Sequence, residues 1–305
     1  MRDDADRQGR QRVPNASNLH TNEAARLYVF CYATSATETD GPARRYEEPE
    51  AHKMKIVRYR VGSKTEYGIW EGDSIHCLEG SPFRGIRPAD RHLRTSDVTF
   101  LAPCLPSKVV AIGASYRSHC LEVGQPILDE PMVFFKPSTS VVGPEDKLMR
   151  PQGVKRFDYE AEVGVVIKRR AFKVSKEKAL DYVFGYTCCN DVSVRDWQNV
   201  AANWQWARAK GSDTFCPIGP CIETEGDPRD MWVESILNGE RKQRGNTSDL
   251  IWDIPAMIEY LTATMTLLPG DIIATGTPVG VSNMNPGDII EIKVDGVGTL
   301  RNYVV

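Results

Sequence analysis

No apolar run in this 305-residue chain approaches the roughly 20 residues that a membrane-spanning helix needs, so no transmembrane segment is expected. Charge of one sign is also lacking. The formal net charge is −3, which argues against electrostatic binding of nucleic acid. Histidine is scarce, at five residues, and the eight cysteines form no C-x-x-C pair and have no histidine partners at zinc spacing. Cys216 and Cys221 flank a Pro- and Gly-containing stretch that makes a poor metal clip. The cysteines are therefore expected to be buried free thiols in a reducing cytoplasm. Three further signatures are missing: the Walker pattern, the G-x-G-x-x-G dinucleotide fingerprint and the G-x-S-x-G nucleophile elbow.

What the chain does have is a cluster of acids. Asp158-Tyr159-Glu160-Ala161-Glu162 runs into Val163-Gly164-Val165-Val166-Ile167, which reads as a strand. Strand side chains alternate faces, so Glu160 and Glu162 should point the same way. On its own, E-x-E is also the pattern of a solvated strand face. Asn190-Asp191 supplies a third acid after Phe184–Cys189, a second expected strand. Between the two strands lies one helix-sized segment with Ser175 as N-cap and Lys176–Leu180 as helix formers, so the unit can return Asp191 to the glutamates. Like charges held together call for a neutralising ion, and carboxylates without His or Cys favour a hard one: Mg²⁺, Mn²⁺ or Ca²⁺.

The length allows one large domain, or a large and a small one. Residues 1–53 read as a disordered or non-conforming extension. Residues 1–24 are polar, 34–53 are Thr-, Ser- and Glu-rich, and Asp3, Asp4 and Asp6 sit where a signal peptide needs positive charge. Met54 looks like a fresh start. From there Lys55–Arg60, Glu66–Trp70 and Ser74–Leu78 are expected strands of a small β-rich N-terminal domain, residues 54–103. Residues 104–305 form the expected catalytic domain, a mixed (α+β), mostly antiparallel β structure with few peripheral helices. Asp253–Leu268 is its clearest helix, with Pro255 in the first turn. Pro269-Gly270-Asp271 and Pro286-Gly287-Asp288 each precede a strand, and Gly298–Val304 closes the chain.

Other candidate residues lie between these elements. His119 and Glu122 are three apart and meet if the stretch is a helical turn. A carboxylate beside an imidazole orients the ring and suits it to taking a proton from water. A lone His is more often structural. Lys136, between Phe135 and Pro137, is either a snorkelling surface lysine or a site residue. Arg195 and Gln198 could reach a ligand, or be the polar face of an ordinary helix. Lys210 lies in a Gly/Ser loop. Gly276-Thr277-Pro278-Val279-Gly280-Val281 offers backbone N–H groups and a hydroxyl that could hold a carboxylate.

Taken in order, G-x-x-Y-x-x-H-x-x-E at Gly113–Glu122, F-K-P at 135–137, D-Y-E-x-E at 158–162, N-D at 190–191, R-D-x-Q at 195–198, A-K-G-x-D at 209–213 and G-T-P-x-G-V at 276–281 closely resemble the fumarylacetoacetate hydrolase family. The likeness is strong over 108–305, with 54–107 resembling the small leading domain common there. It implies a β-roll of mixed sheets, Mg²⁺ or Mn²⁺ on Glu160, Glu162 and Asp191, and a water-activating dyad of His119 and Glu122. It further implies Lys210 at the developing oxyanion, and substrate contacts from Tyr116, Lys136, Arg195, Gln198, Gly276 and Thr277. A small 2-oxo acid substrate and a homodimer complete the expectation. Two departures stand out: Ser115 replaces the Asn that many relatives carry before the Tyr, and Ala111–Ala114 offers no Asp ahead of His119. The second points to the smaller acylpyruvase, decarboxylase and isomerase-like members. The expected reaction is hydrolysis of a C–C bond in a 2,4-dioxo acid. Oxaloacetate-type decarboxylation, hydroxymuconate-type isomerisation and a non-catalytic metabolite-binding role are the alternatives.

Overall fold

The computed structural model describes residues 53–199 and 204–305. The extension expected over residues 1–53 lies almost wholly outside them. The described chain begins with β1 (Lys55–Val61), β2 (Lys64–Glu71), β3 (Ser74–Leu78), β4 (Pro88–Arg94) and β5 (Thr99–Leu101). Then come β6 (Lys108–Gly113), helix α1 (Arg117–Glu122), β7 (Met132–Pro137), β8 (Val141–Val142), β9 (Lys147–Leu148) and β10 (Phe157–Asp158). β11 (Ala161–Ile167), β12 (Val183–Asn190) and β13 (Ser193–Val194) follow, with short helices α2 (Arg195–Gln198) and α3 (Trp206–Gly211). The chain ends with β14 (Cys216–Glu223), β15 (Trp232–Leu237), β16 (Glu240–Asn246), helix α4 (Ile254–Thr264), β17 (Ile272–Ala274), β18 (Ile289–Val294) and β19 (Gly298–Val304).

The strands form mixed, mostly antiparallel sheets with few helices. The largest runs β4-β3-β2-β1-β14-β12-β11-β17-β6-β7, with β5 added on β1 and β8 on β14. A second runs β16-β15-β18-β19-β9, and β10 pairs with β13 alone. Burial follows position in the sheet. β11, β12 and β14 lie between neighbours on both sides, and nearly every residue of the three is buried, as their continuous apolar runs require. β4, at the edge, starts with Pro88 and carries Asp90, Arg91 and Arg94, features that deter further strand pairing. The leading strands do not form a sheet of their own. β1 pairs with β14 through Lys55↔Glu223 and Ile56↔Ile222, so the sheet runs across the expected boundary at 103/104.

Two elements differ from the sequence reading. Lys176–Tyr182 is a 3₁₀ rather than an α-helix. It buries only Ala179, and Ser175 makes no capping bond to it. The segment is held at its start instead, by Glu259 on the Lys176 N–H and Thr262 on the Val174 N–H, and at seven residues it is short enough for the tighter helix. α4 stops at Thr264 rather than Leu268, because Leu267 exchanges two backbone bonds with Ala171, at 2.9 and 3.0 Å.

Candidate active site

The site forms at one end of the large sheet, where strand ends converge. Ala161 at the start of β11 pairs with Asn190 at the end of β12, and the Asp191 N–H donates to the Glu160 carbonyl at 2.9 Å. β17 lies antiparallel to β11 and parallel to β6, so Gly276, just past β17, and Gly113, ending β6, reach the same end. The β10–β13 pair, Phe157↔Val194 and Asp158↔Ser193, carries Arg195 back to Asp158. These ends enclose a cleft of about 310 Å³. His119, Glu160, Glu162, Asp191, Arg195, Gln198, Lys210, Gly276 and Thr277 all line it.

Oxygens of Glu160, Glu162 and Asp191 lie within 4.8 Å of one another, and all three residues are buried. Cations surround them unevenly. The Lys210 ammonium is 2.6 Å from Glu160 and 2.8 Å from Asp191, and Arg195 bonds Glu160 as well. Burial alone would raise the Glu160 carboxyl, but Arg195 and Lys210 overcome it and hold the group well below the ordinary range. Among the described residues, Glu162 receives only the Gly276 N–H, at 2.8 Å. Its burial, then the charges of Asp191 and Glu160, push its carboxyl well above the usual value. An under-neutralised buried carboxylate beside two others is the arrangement a hard divalent cation completes, and the all-oxygen donor set fits one.

Around the triad the network is tight. Arg195 donates to Asp158 at 2.9 Å and to Gln198 at 2.8 Å, besides Glu160. The Asn190 amide oxygen accepts from the Glu160 N–H at 3.0 Å. The Thr277 hydroxyl donates to the Ala161 carbonyl at 3.0 Å and accepts from Gln243 at 2.8 Å, so both it and the Gly276 N–H are engaged within the protein. On α1, His119 Nδ1 lies 3.0 Å from Glu122, whose other oxygen accepts the Gly280 N–H at 3.1 Å. Ser115 donates to the Thr275 carbonyl at 2.6 Å and so ties the start of this segment to the end of β17.

Two expected substrate contacts are not on the cleft wall. Tyr116 is fully buried, bridged to Leu250, and its hydroxyl has no hydrogen-bond partner among the described residues. Lys136 is fully buried behind Asp191. Alternation along β7 puts Met132, Phe134 and Lys136 on one face, but only the first two reach the cleft. The Lys136 ammonium bonds Asp191, the Lys210 carbonyl and, at 3.4 Å, the Val192 carbonyl, three acceptors for three N–H donors. Burial works against its charge, yet Asp191 keeps its pKa raised. Conversely, Arg156, Phe134 and Trp206 line the cleft, and Asp158, Asn190 and Gln243 brace it, all unassigned from sequence. Asp158 and Asn190 lie inside the D-Y-E-x-E and N-D motifs. Gln243 is 82 residues from Ala161, whose N–H it accepts, and carries no local signal.

The residues from 108 to 305 match the family model described as fumarylacetoacetate (FAA) hydrolase C-terminal, and 54–103 match one described as Rv2993c-like, N-terminal. An uncharacterised protein of Archaeoglobus fulgidus is 44% identical over 208 residues, 68% of this chain and 82% of its own length. A mitochondrial oxaloacetate tautomerase of Xenopus laevis is 37% identical over 224 residues, 70% of each chain. A solved 5-carboxymethyl-2-hydroxymuconate delta-isomerase from Mycobacterium smegmatis superposes with a TM-score of 0.77 at 39% identity, covering 83% of this chain and 99% of that one. With the matched region carrying both the carboxylate triad and the His–Glu pair, the chain belongs to the fumarylacetoacetate hydrolase family.

Proposed function

We propose that this protein is a divalent-metal-dependent enzyme that moves a proton at the carbon beside the carbonyl of a small 2-oxo acid, interconverting keto and enol forms or shifting a double bond. The observation that carries this reading is the His119–Glu122 pair, with the imidazole on the wall of the same cleft as the triad. Glu122 occupies Nδ1, which leaves Nε2 as the nitrogen that takes and returns the proton. An Mg²⁺ or Mn²⁺ ion on Glu160, Glu162 and Asp191 would supply the positive charge that a carbonyl gathering electrons requires. Lys210 adds a fixed ammonium beside the triad, and being nearly inaccessible to solvent it acts in a low-dielectric setting. Gln198, whose oxygen is held by Arg195, offers its amide N–H groups to a substrate oxygen. The tautomerase and isomerase among its relatives support this reading.

Hydrolysis of a 2,4-dioxo acid is the second reading. The same pair favours it, since an oriented imidazole with one free nitrogen can also deprotonate water. The test follows enol absorbance of oxaloacetate and of a short acylpyruvate with Mn²⁺, with chelator, and in His119→Ala. Metal- and His119-dependent interconversion of oxaloacetate without pyruvate supports tautomerisation. Pyruvate from the acylpyruvate marks hydrolysis, and pyruvate from oxaloacetate marks decarboxylation. Metal binding without turnover of either compound would leave a binding protein. A homodimer belongs to the same proposal and is checked by sedimentation.

A further inference from the structure

The cations on the cleft wall differ in how much of their charge is committed. Lys210 is 3% exposed and its ammonium is held by Glu160 and Asp191. The Arg195 side chain is 23% exposed, and its Nε, Nη1 and Nη2 go to Asp158, Gln198 and Glu160. Arg156 is different. It lines the same cleft with its side chain 54% exposed, and among the described residues it uses only Nε and Nη2, both on Asp158, at 3.3 and 2.6 Å. Asp158 is fully buried, and its Oδ2 accepts from both Arg156 and Arg195. Arg195 has Glu160 as a second acid, whereas Arg156, among the described residues, has only Asp158 and shares it. Arg156 is therefore the less compensated and more exposed of the two, and its Nη1 remains for a ligand. The cleft lining also has apolar members, Val123, Met132, Phe134 and Trp206 among them.

We propose that Arg156 is a specificity-determining residue that binds the distal carboxylate of the substrate, so that the cleft selects 2-oxo dicarboxylates over 2-oxo monocarboxylates. The inference rests on the reading of the site as a 2-oxo acid site. The 2-oxo end meets the triad and Lys210, and the second carboxylate meets the most exposed cation on the wall among the described residues, whose Nη1 makes no bond within them. Asp158 acts as the brace: it fixes the guanidinium plane through two bonds and links it to Arg195, so the distance between the two ends of the site is preset.

The test uses a pair of ligands that differ in one group, 2-oxoglutarate and 2-oxopentanoate, titrated by calorimetry into the full Mn²⁺-loaded chain. The wild type should bind 2-oxoglutarate about 10- to 100-fold tighter, the range expected for a hydrogen bond to a charged group. Arg156→Met should erase that ratio by weakening 2-oxoglutarate alone, and Arg156→Lys should restore part of it. Equal binding of the two acids by the wild type, binding of neither, or an equal loss of both in Arg156→Met would overturn the proposal. Oxaloacetate enol turnover is measured in parallel. Discrimination by Arg156 without turnover removes the proton-transfer reading and keeps the specificity assignment; turnover without discrimination does the reverse.

Discussion

Glu162 sits in a buried cluster where two carboxylates have cations and it has one N–H. Its carboxyl is raised above the ordinary 4.5, so the fold holds this proton more tightly than the unfolded chain does. Below that value both states are protonated and nothing is lost. As pH climbs through the raised value, the bare charge increasingly destabilises the metal-free protein. An ion that takes the proton's place cancels this penalty, so the rise in Tm given by Mn²⁺ over chelator should be larger at about pH 8 than at about pH 5. Glu162→Gln should melt higher than wild type in chelator at the higher pH and lose the Mn²⁺ response; an unchanged response would remove Glu162 from the ligand set. Lys136 poses the opposite case, a buried cation with every donor used. Lys136→Met strips Asp191 and two carbonyls of their partner, and urea unfolding should show a loss of about 3–5 kcal/mol. His119→Ala touches neither network. It should retain Mn²⁺ affinity in calorimetry while turnover falls about 10²- to 10⁴-fold.

The turn after β17 does for the site what no side chain does: it delivers a backbone N–H to Glu162. Gly276 adopts φ +93°, and a Cβ there would come 1.8 Å from the Ser115 Oγ and 2.8 Å from the Ile112 carbonyl. Gly276→Ala therefore combines a disfavoured backbone with a clash, about 2–5 kcal/mol in chemical denaturation. Adding Ser115→Gly should recover part of it, because the nearest obstructing atom is then gone. Ser115 also serves the turn directly: its hydroxyl bonds the Thr275 carbonyl, closing it from the other side. α4 shows a simpler dependence. Asp253 caps it through the Ala256 N–H at 2.8 Å and also pairs with Lys176 of the 3₁₀ segment.

The leading strands and the region after residue 104 share one sheet and both apolar clusters. Ile56 packs with Ile218, Ile222 and Ala274, and Val57 and Tyr59 lie in the larger cluster with β11 residues. A chain starting at residue 104 would leave the Ile222–Glu223 end of β14 unpaired and these apolar surfaces open. It should be insoluble or molten, as judged by gel filtration and near-ultraviolet circular dichroism. Recovery of a monodisperse, Mn²⁺-binding fragment would instead make 54–103 a separable domain. Among the described residues no helix is long and apolar enough to cross a membrane. The seven described cysteines are all free and buried, as their lack of pairing motifs indicated.

Local order was enough to read the strands at 55–78, the acids at 158–162 and 191, and the three-residue spacing of His119 and Glu122. Each depends on contacts within a few residues, where alternation and helical periodicity act directly. Sheet order was not readable, because β1 meets β14 across more than 160 residues and no local pattern encodes that pairing. The same holds for the charges. Lys136 and Arg156 look alike as basic residues beside aromatic strands, yet one is sealed behind Asp191 and the other stands at the cleft wall. Which cation neutralises which acid is set by distance in the folded chain, and Coulomb energy depends on that separation and on burial, neither of which a linear spacing contains.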